Sequence, residues 1–347
     1  MAYTTIDDPG LFFNTKLYTG TGSELALTGV GFQPDMVWIK RRNGARNHQL
    51  QDVVRGITKQ LVPNETDAEA TNTEKVKSIQ SDGFTLGTNQ DVNVSSDTFA
   101  SWNWKAGTSF TNDASGTGIG DIDSSGSVNT TSGFSIITAT SDGAANKNIA
   151  HGLGVVPDVI FAKNLASTFN WDCYFKTLGY NASLQINQTA APRTGAWGSA
   201  TFTSTTFQTS DSFSSANGQA YIYYCFAEKQ GYSKVGGSYT GNGSSSDGTF
   251  VYLGFKPAFV MIKRTDSTGS WVLEDSIRSP SNSSMKVLFP NLSNAEETLD
   301  PYFDLLSNGF KTRSTSTFIN ASGATYIYMA FAENPFVTST GIPTTAR

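Results

Sequence analysis

The chain has 347 residues, with 24 Lys or Arg against 29 Asp or Glu and a formal net charge of −5. So mild an acidic balance offers no electrostatic footprint for nucleic acid or an anionic membrane, and no apolar run nears the roughly 20 residues needed to span a bilayer. Gly is frequent at 33, aromatics reach 12% and charged residues only 15%, which points to an all-β chain rich in turns.

Residues 1–16 read as a leader. It lacks a basic n-region and carries Asp7 and Asp8, so a secretory signal is not expected. Asp8-Pro9-Gly10 is a turn signal, and the apolar triplet Leu11, Phe12 and Phe13 is expected to dock on a partner. A first unit then spans residues 17–106. Its run Met36-Val37-Trp38-Ile39, between Pro34 and Lys40-Arg41-Arg42, predicts a strand buried on both faces. Residues 63–78 are polar and read as a mobile loop. The closing stretch TFASWNWK alternates, with Phe99, Ser101 and Asn103 on one face and Ala100, Trp102 and Trp104 on the other.

Residues 107–132 contain few apolar side chains and predict a flexible Gly/Ser-rich linker. A second unit covers 133–231 and a third 235–336, with a short tail at 337–347. The last two close on YIYYCFAE and YIYMAFAE. Helical candidates are few; the stretch 294–306 is short and interrupted by Pro301.

One block recurs in all three units. It reads PDMVWIKRRNGARNHQLQDVVR from Pro34, PDVIFAKNLASTFNWDCYFKTL from Pro157 and PAFVMIKRTDSTGSWVLEDSIR from Pro257. Pro precedes Lys by six positions each time (Pro34/Lys40, Pro157/Lys163, Pro257/Lys263), and eight positions later come His48, Trp171 and Trp271. Two copies end in Asp-x-x-Arg, as Asp52/Arg55 and Asp275/Arg278, read as a repeated ion pair. Such periodic self-similarity marks a tandem protein. The expected fold is therefore all-β, with three tandem antiparallel β-sandwich or jelly-roll-like domains.

Candidates for chemistry are sparse. His48 stands where the other copies have Trp and reads as a packing variant, while His151 sits in a turn without a visible partner. Cys173 and Cys225 read as buried free thiols of a chain made in a reducing cytosol, a disulfide being the other option. The pairs Glu274/Asp275 and Asp300/Asp304 are the candidate glycosidic carboxylates, but Asp275 belongs to the Asp-x-x-Arg motif that recurs in two copies, which speaks for architecture. Asp121, Asp123 and Ser125 match the first half of a calcium loop, although position 12 is Ser132 and a polar linker is the plainer reading. Trp197, between glycines and without a counterpart in the other repeats, is the surface candidate for stacking a sugar. No cofactor motif is present, and no catalytic residue is assigned.

Several blocks together resemble a family of structural proteins from the virions of tailed phages, notably cyanophages and other marine and freshwater phages. They are the opening MAYTTIDDP with KLYTG, GFQPDMVWIKRR with LQDVVRG, HGLGVVPD at 151–158, SYTGNGSSSDGTFVYLGFKPAFVMIKRTD at 238–266, LFPNLSNAEE at 288–297 and ASGATYIYMAFAENPF at 321–336. The first unit departs from the family pattern by closing on ASWNWKAG. The resemblance implies a non-enzymatic subunit displayed on the exterior of capsid or tail, as a decoration protein or a tail appendage. Its partners would be other virion proteins and copies of itself, a trimer first, with synthesis in the host cytoplasm. The second reading is a tail fibre or spike that binds host surface glycan.

Overall fold

The computed structural model describes residues 2–195, 197–198, 202–214 and 216–344. Antiparallel strands dominate, and the three repeats share one plan. Each contributes four strands to an inner sheet. An opening strand (Phe13–Thr19, Phe134–Thr140, Ser233–Thr240) lies beside a closing strand (Thr98–Trp104, Ala220–Phe226, Thr325–Pro335). The closing strand pairs next with the lysine strand (Met36–Arg41, Val159–Asn164, Phe255–Arg264), and that with a return strand (Gln49–Asp52, Asp172–Phe175, Val272–Asp275). Even the register repeats: Trp38 lies opposite Trp102, Phe161 opposite Tyr224 and Met261 opposite Met329.

An outer sheet, of three, two and four strands in turn, covers one face of each inner sheet and completes a sandwich. In the first repeat it holds Leu25–Thr28, Gly83–Leu86 and Val76–Gln80; in the second, Asn148–Ala150 and Thr206–Gln208. The third repeat uses Phe250–Tyr252, Gly309–Thr312, Glu297–Leu306 and Ser284–Val287. The expected helical candidate at 294–306 is thus largely strand, because alternation across the sheet buries Phe303 and Leu305.

The other face of each inner sheet is buried as well, against its two counterparts. Because side chains alternate along a strand, Val37 and Ile39 point into the first sandwich while Met36 and Trp38 point to the common centre. Ile160 and Ala162 divide in the same way from Val159 and Phe161, and Val260 and Ile262 from Phe259 and Met261. That is why the lysine strands read as continuous apolar runs. The equivalent residues Trp104, Phe226 and Phe331 meet one another at the axis, with ring centroids 6.5, 5.7 and 5.9 Å apart. One apolar cluster therefore belongs to all three repeats, and they are related by an approximate threefold rotation rather than strung along a stalk.

Three segments differ from expectation. Residues 107–132 are not a flexible linker: Thr108–Asn112 and Ser124–Asn129 extend the second inner sheet from its opening strand. Gly126 is needed there, since a Cβ would lie 1.8 Å from the Ile136 carbonyl oxygen. The polar stretch 63–78 is anchored, with the Glu69 N–H donating to the Leu165 carbonyl of the second repeat at 2.9 Å. The leader folds back on its own chain: Tyr3 donates to the Gly254 carbonyl at 2.7 Å, Thr4 to that of Gln230 at 2.8 Å, and Ile6 is buried.

Truncating an axial ring removes contacts to all three sheets at once. Trp104→Ala is expected to cost about 3–5 kcal/mol, the usual range for a fully buried large aromatic, measured by denaturant unfolding. A loss below about 1 kcal/mol would mean that the centre is not cohesive.

Candidate functional site

The recurring block maps onto the seams between repeats. Just before each return strand the residue at the His48/Trp171/Trp271 position is buried and held by an Asn of its own repeat. Asn64 accepts from the His48 N–H at 2.8 Å, Asn187 from the Trp171 N–H at 3.1 Å and Asn291 from the Trp271 N–H at 2.9 Å. The ring then crosses to a neighbouring repeat. Trp171 Nε1 donates to the Val62 carbonyl at 3.1 Å and Trp271 Nε1 to that of Gln185 at 3.0 Å, while His48 Nε2 reaches the Phe289 carbonyl at 3.1 Å. Each acceptor lies two residues before the holding Asn of its repeat, so one contact is made three times in the same rotational sense.

These contacts fix the tautomer of His48. Indole can only donate, and Trp38 Nε1 lies 2.9 Å from His48 Nδ1, so Nδ1 accepts and Nε2 carries the proton. Burial first, then the charge of Lys40, holds protonation of His48 far below the ordinary histidine range. His48 is thus the packing variant expected, matched by Trp38 where the other repeats have Phe161 and Met261.

Two of the three lysines bridge the same seams. Lys163 Nζ donates to the carbonyls of Asn164 and Ser167 and, at 3.1 Å, to that of Thr66 in the first repeat. Lys263 Nζ bonds the Arg264 carbonyl at 2.8 Å and that of Thr189 in the second repeat at 3.3 Å. Lys40 Nζ bonds the Arg41 carbonyl at 2.7 Å. Burial lowers these ammonium groups to about 7 at Lys40, with Arg41 adding to the effect, and to about 8 at Lys163 and Lys263.

Both Asp-x-x-Arg pairs are buried ion pairs, Asp52–Arg55 and Asp275–Arg278. Each Arg meets a second carboxylate, Glu69 at 3.0 Å and Glu296 at 3.1 Å. Each Asp also accepts from the next repeat: the Tyr224 hydroxyl donates to Asp52 at 2.6 Å, and Trp102 Nε1 to Asp275 at 3.0 Å. The Arg278 guanidinium lies 5.7 Å from the Trp102 ring centroid. Where the second repeat has Phe175, Leu178 and Pro192 in place of these three polar residues, the facing residue of the third is the apolar Met329. Charge and hydrogen-bond donor were exchanged together, as the cost of an unpaired buried charge requires.

Other expected sites dissolve into architecture. Trp197 is not a surface platform: it is 4% exposed and packs edge-on against Tyr174 and Phe202, with ring centroids 5.9 and 6.2 Å away. Phe13 cannot dock an external partner, because its ring stacks on Phe331 at 5.1 Å; Phe12 lies against Tyr232, and Leu11 remains half exposed. The calcium pattern also fails. Asp121 accepts from the Asn148 N–H and Asp123 from the Ala114 N–H, Ser125 sits on an extended strand, and no group of three or more His, Cys, Asp or Glu side chains placed to hold a metal occurs among the described residues.

Glu274 and Asp275 are adjacent on a strand and face opposite sides. Glu274 points into the third sandwich, where Ser284 donates to it at 2.6 Å and burial pushes its carboxyl up to about 8; Asp275 faces the centre. They do not share a groove. Asp304 pairs with Arg313, and the Asp300 side chain lies outside the described residues. His151 is buried, its Nδ1 accepting from the Leu153 N–H at 3.2 Å. Cys173 faces the shared centre and Cys225 the second sandwich, and both are free. The holding residues Asn64, Asn187 and Asn291 escaped the sequence reading, although VPNET, QINQT and FPNLS carry them in step.

Two predictions follow from this geometry. Lys163→Met leaves carbonyls of two repeats without their donor, and should cost about 2–4 kcal/mol in chemical denaturation. Trp38→Phe with His48→Trp copies the Phe161/Trp171 pair. Since folded His48 resists protonation, its stabilising contribution is present above about pH 6.5, the unfolded value, and is lost as pH falls. Between pH 7 and pH 5 the wild type should therefore lose about 2 kcal/mol more than the double variant. Equal losses would contradict the assignment.

Comparison with known proteins adds a family but no activity. No curated protein matches the chain. A domain of unknown function (DUF7483) matches residues 8–335, nearly the whole chain, and the protein belongs to that family.

Proposed function

We propose that the chain is a non-enzymatic structural subunit of a phage particle, displayed on the outside of capsid or tail. The observation that carries this reading is where the recurring residues lie. Lys40, Lys163 and Lys263, both buried Asp–Arg pairs and the His48/Trp171/Trp271 position are all enclosed in seams between repeats. Their titratable groups are engaged in holding sheets together, with no shared cleft in which a substrate would meet them. The sequence blocks that resemble phage virion proteins supply the rest of the reading.

A body with three equivalent sheets about one axis suits a threefold or sixfold site on such a particle, whether one chain or a homotrimer occupies it. Exposed Leu11, beside the turn at Pro9–Leu11, remains the contact offered to neighbouring virion proteins. Gold-labelled antibody on purified particles tests the proposal. Regular labelling over capsid or tail is expected; absence of the protein from purified particles would overturn it.

A further inference from the structure

The outer sheet of the third repeat carries two half-exposed aromatic rings, one of them with its hydroxyl beside that of Tyr3. On its edge strand Phe250–Tyr252, Val251 is buried in the sandwich, while Phe250 is 45% and Tyr252 55% exposed. The positions in corresponding register in the other repeats hold exposed Ala26 and Thr28, and Asn148 with the buried Ala150. The same fold is thus built twice with small or polar residues where this copy places two aromatic rings.

What surrounds the rings is polar and close to electroneutral. Phe250 lies in register with Lys311 on the next strand, and Lys311 with Asp304 on the one after. At about 4.8 Å per strand, a row roughly 10 Å long runs from aromatic ring to carboxylate. Lys311 pairs with Asp247 at 2.6 Å and Arg313 with Asp304, so two cations and two anions cancel. Asp304 and Arg313 also line an open groove of about 470 Å³ with Ser245, Asn282 and Ser283. Gly309, opposite Tyr252, is required by close strand approach, as is the equivalent Gly83: a Cβ at either would come within 2.0 Å of a carbonyl oxygen on the edge strand.

We propose that Phe250 and Tyr252, with the adjoining polar groove, form a binding face for a neutral oligosaccharide. Aromatic faces flanked by a few hydrogen-bonding groups match the apolar face and hydroxyl rim of a sugar. A protein partner fits less well. Two half-exposed rings offer roughly 200 Å² of apolar surface, against about 800 Å² per partner in a stable protein interface. The cancelled charges argue against a polyanion.

The test uses the full chain on an array of bacterial surface oligosaccharides, followed by titration calorimetry with the best neutral binder. Binding is expected, weakened at least tenfold by Phe250→Ala/Tyr252→Ala and unchanged by Thr28→Ala at the corresponding outward position of the first repeat. Phe250→Ala alone should also weaken binding, and Tyr252→Phe, which removes only the hydroxyl beside Tyr3, should keep it, so that loss of the Tyr3 contact is told apart from loss of the rings. No neutral saccharide bound, preference for acidic glycans alone, or undiminished binding by the double variant would overturn the proposal. The readout uses isolated protein, so it is independent of whether the chain is found on particles.

Discussion

The whole molecule depends on burying the second face of three sheets at once. A two-sheet sandwich normally leaves its outward faces to solvent, with polar residues alternating along each strand. Here the inner sheets are apolar on both faces, and only the other two repeats can cover the second one. Trp104, Phe226 and Phe331 meet at the axis, and Phe13, the first residue of the first opening strand, packs on Trp104 and Phe331. Stacking of this kind ties the stability of each repeat to its neighbours.

Around that centre, polar chemistry sets the register of the seams. Burying an indole N–H, a histidine or an aspartate is costly unless each finds its partner. The partners come from the adjacent repeat: Trp171 to Val62, Trp271 to Gln185, His48 to Phe289, Tyr224 to Asp52. A rotated or slipped seam would strand several donors together. The same logic fits the second repeat, which has Phe175 and Leu178 for the Asp–Arg pair where the third repeat has Met329 in the place of Trp102 and Tyr224. The buried ion pairs thus specify a geometry more than they add stability.

Much of this was legible in the sequence. The all-β class, the three repeats, the doubly buried lysine strands and the alternation of Phe99 to Trp104 all follow from residue pattern. The meeting of the repeats did not, because a continuous apolar run says that both faces are covered without saying by what. Trp197 misled through its glycine neighbours, which allow the chain to bend and bring the ring inward. Asp121, Asp123 and Ser125 match half a calcium loop, yet only Ser125 lies on a strand, and the two aspartates accept backbone N–H groups instead. In the segment 107–132, low apolar content concealed strands whose stability comes from backbone pairing, with Gly126 required by close approach.

Native-state hydrogen exchange on the lysine-strand amides tests most directly whether the three repeats form one body. If the axial core is shared as described, amides of Met36–Arg41, Val159–Asn164 and Phe255–Arg264 should open with the same free energy, equal to that of global unfolding. One repeat exchanging several kcal/mol more easily than the others would show that the repeats are separate domains in contact, and would contradict the account.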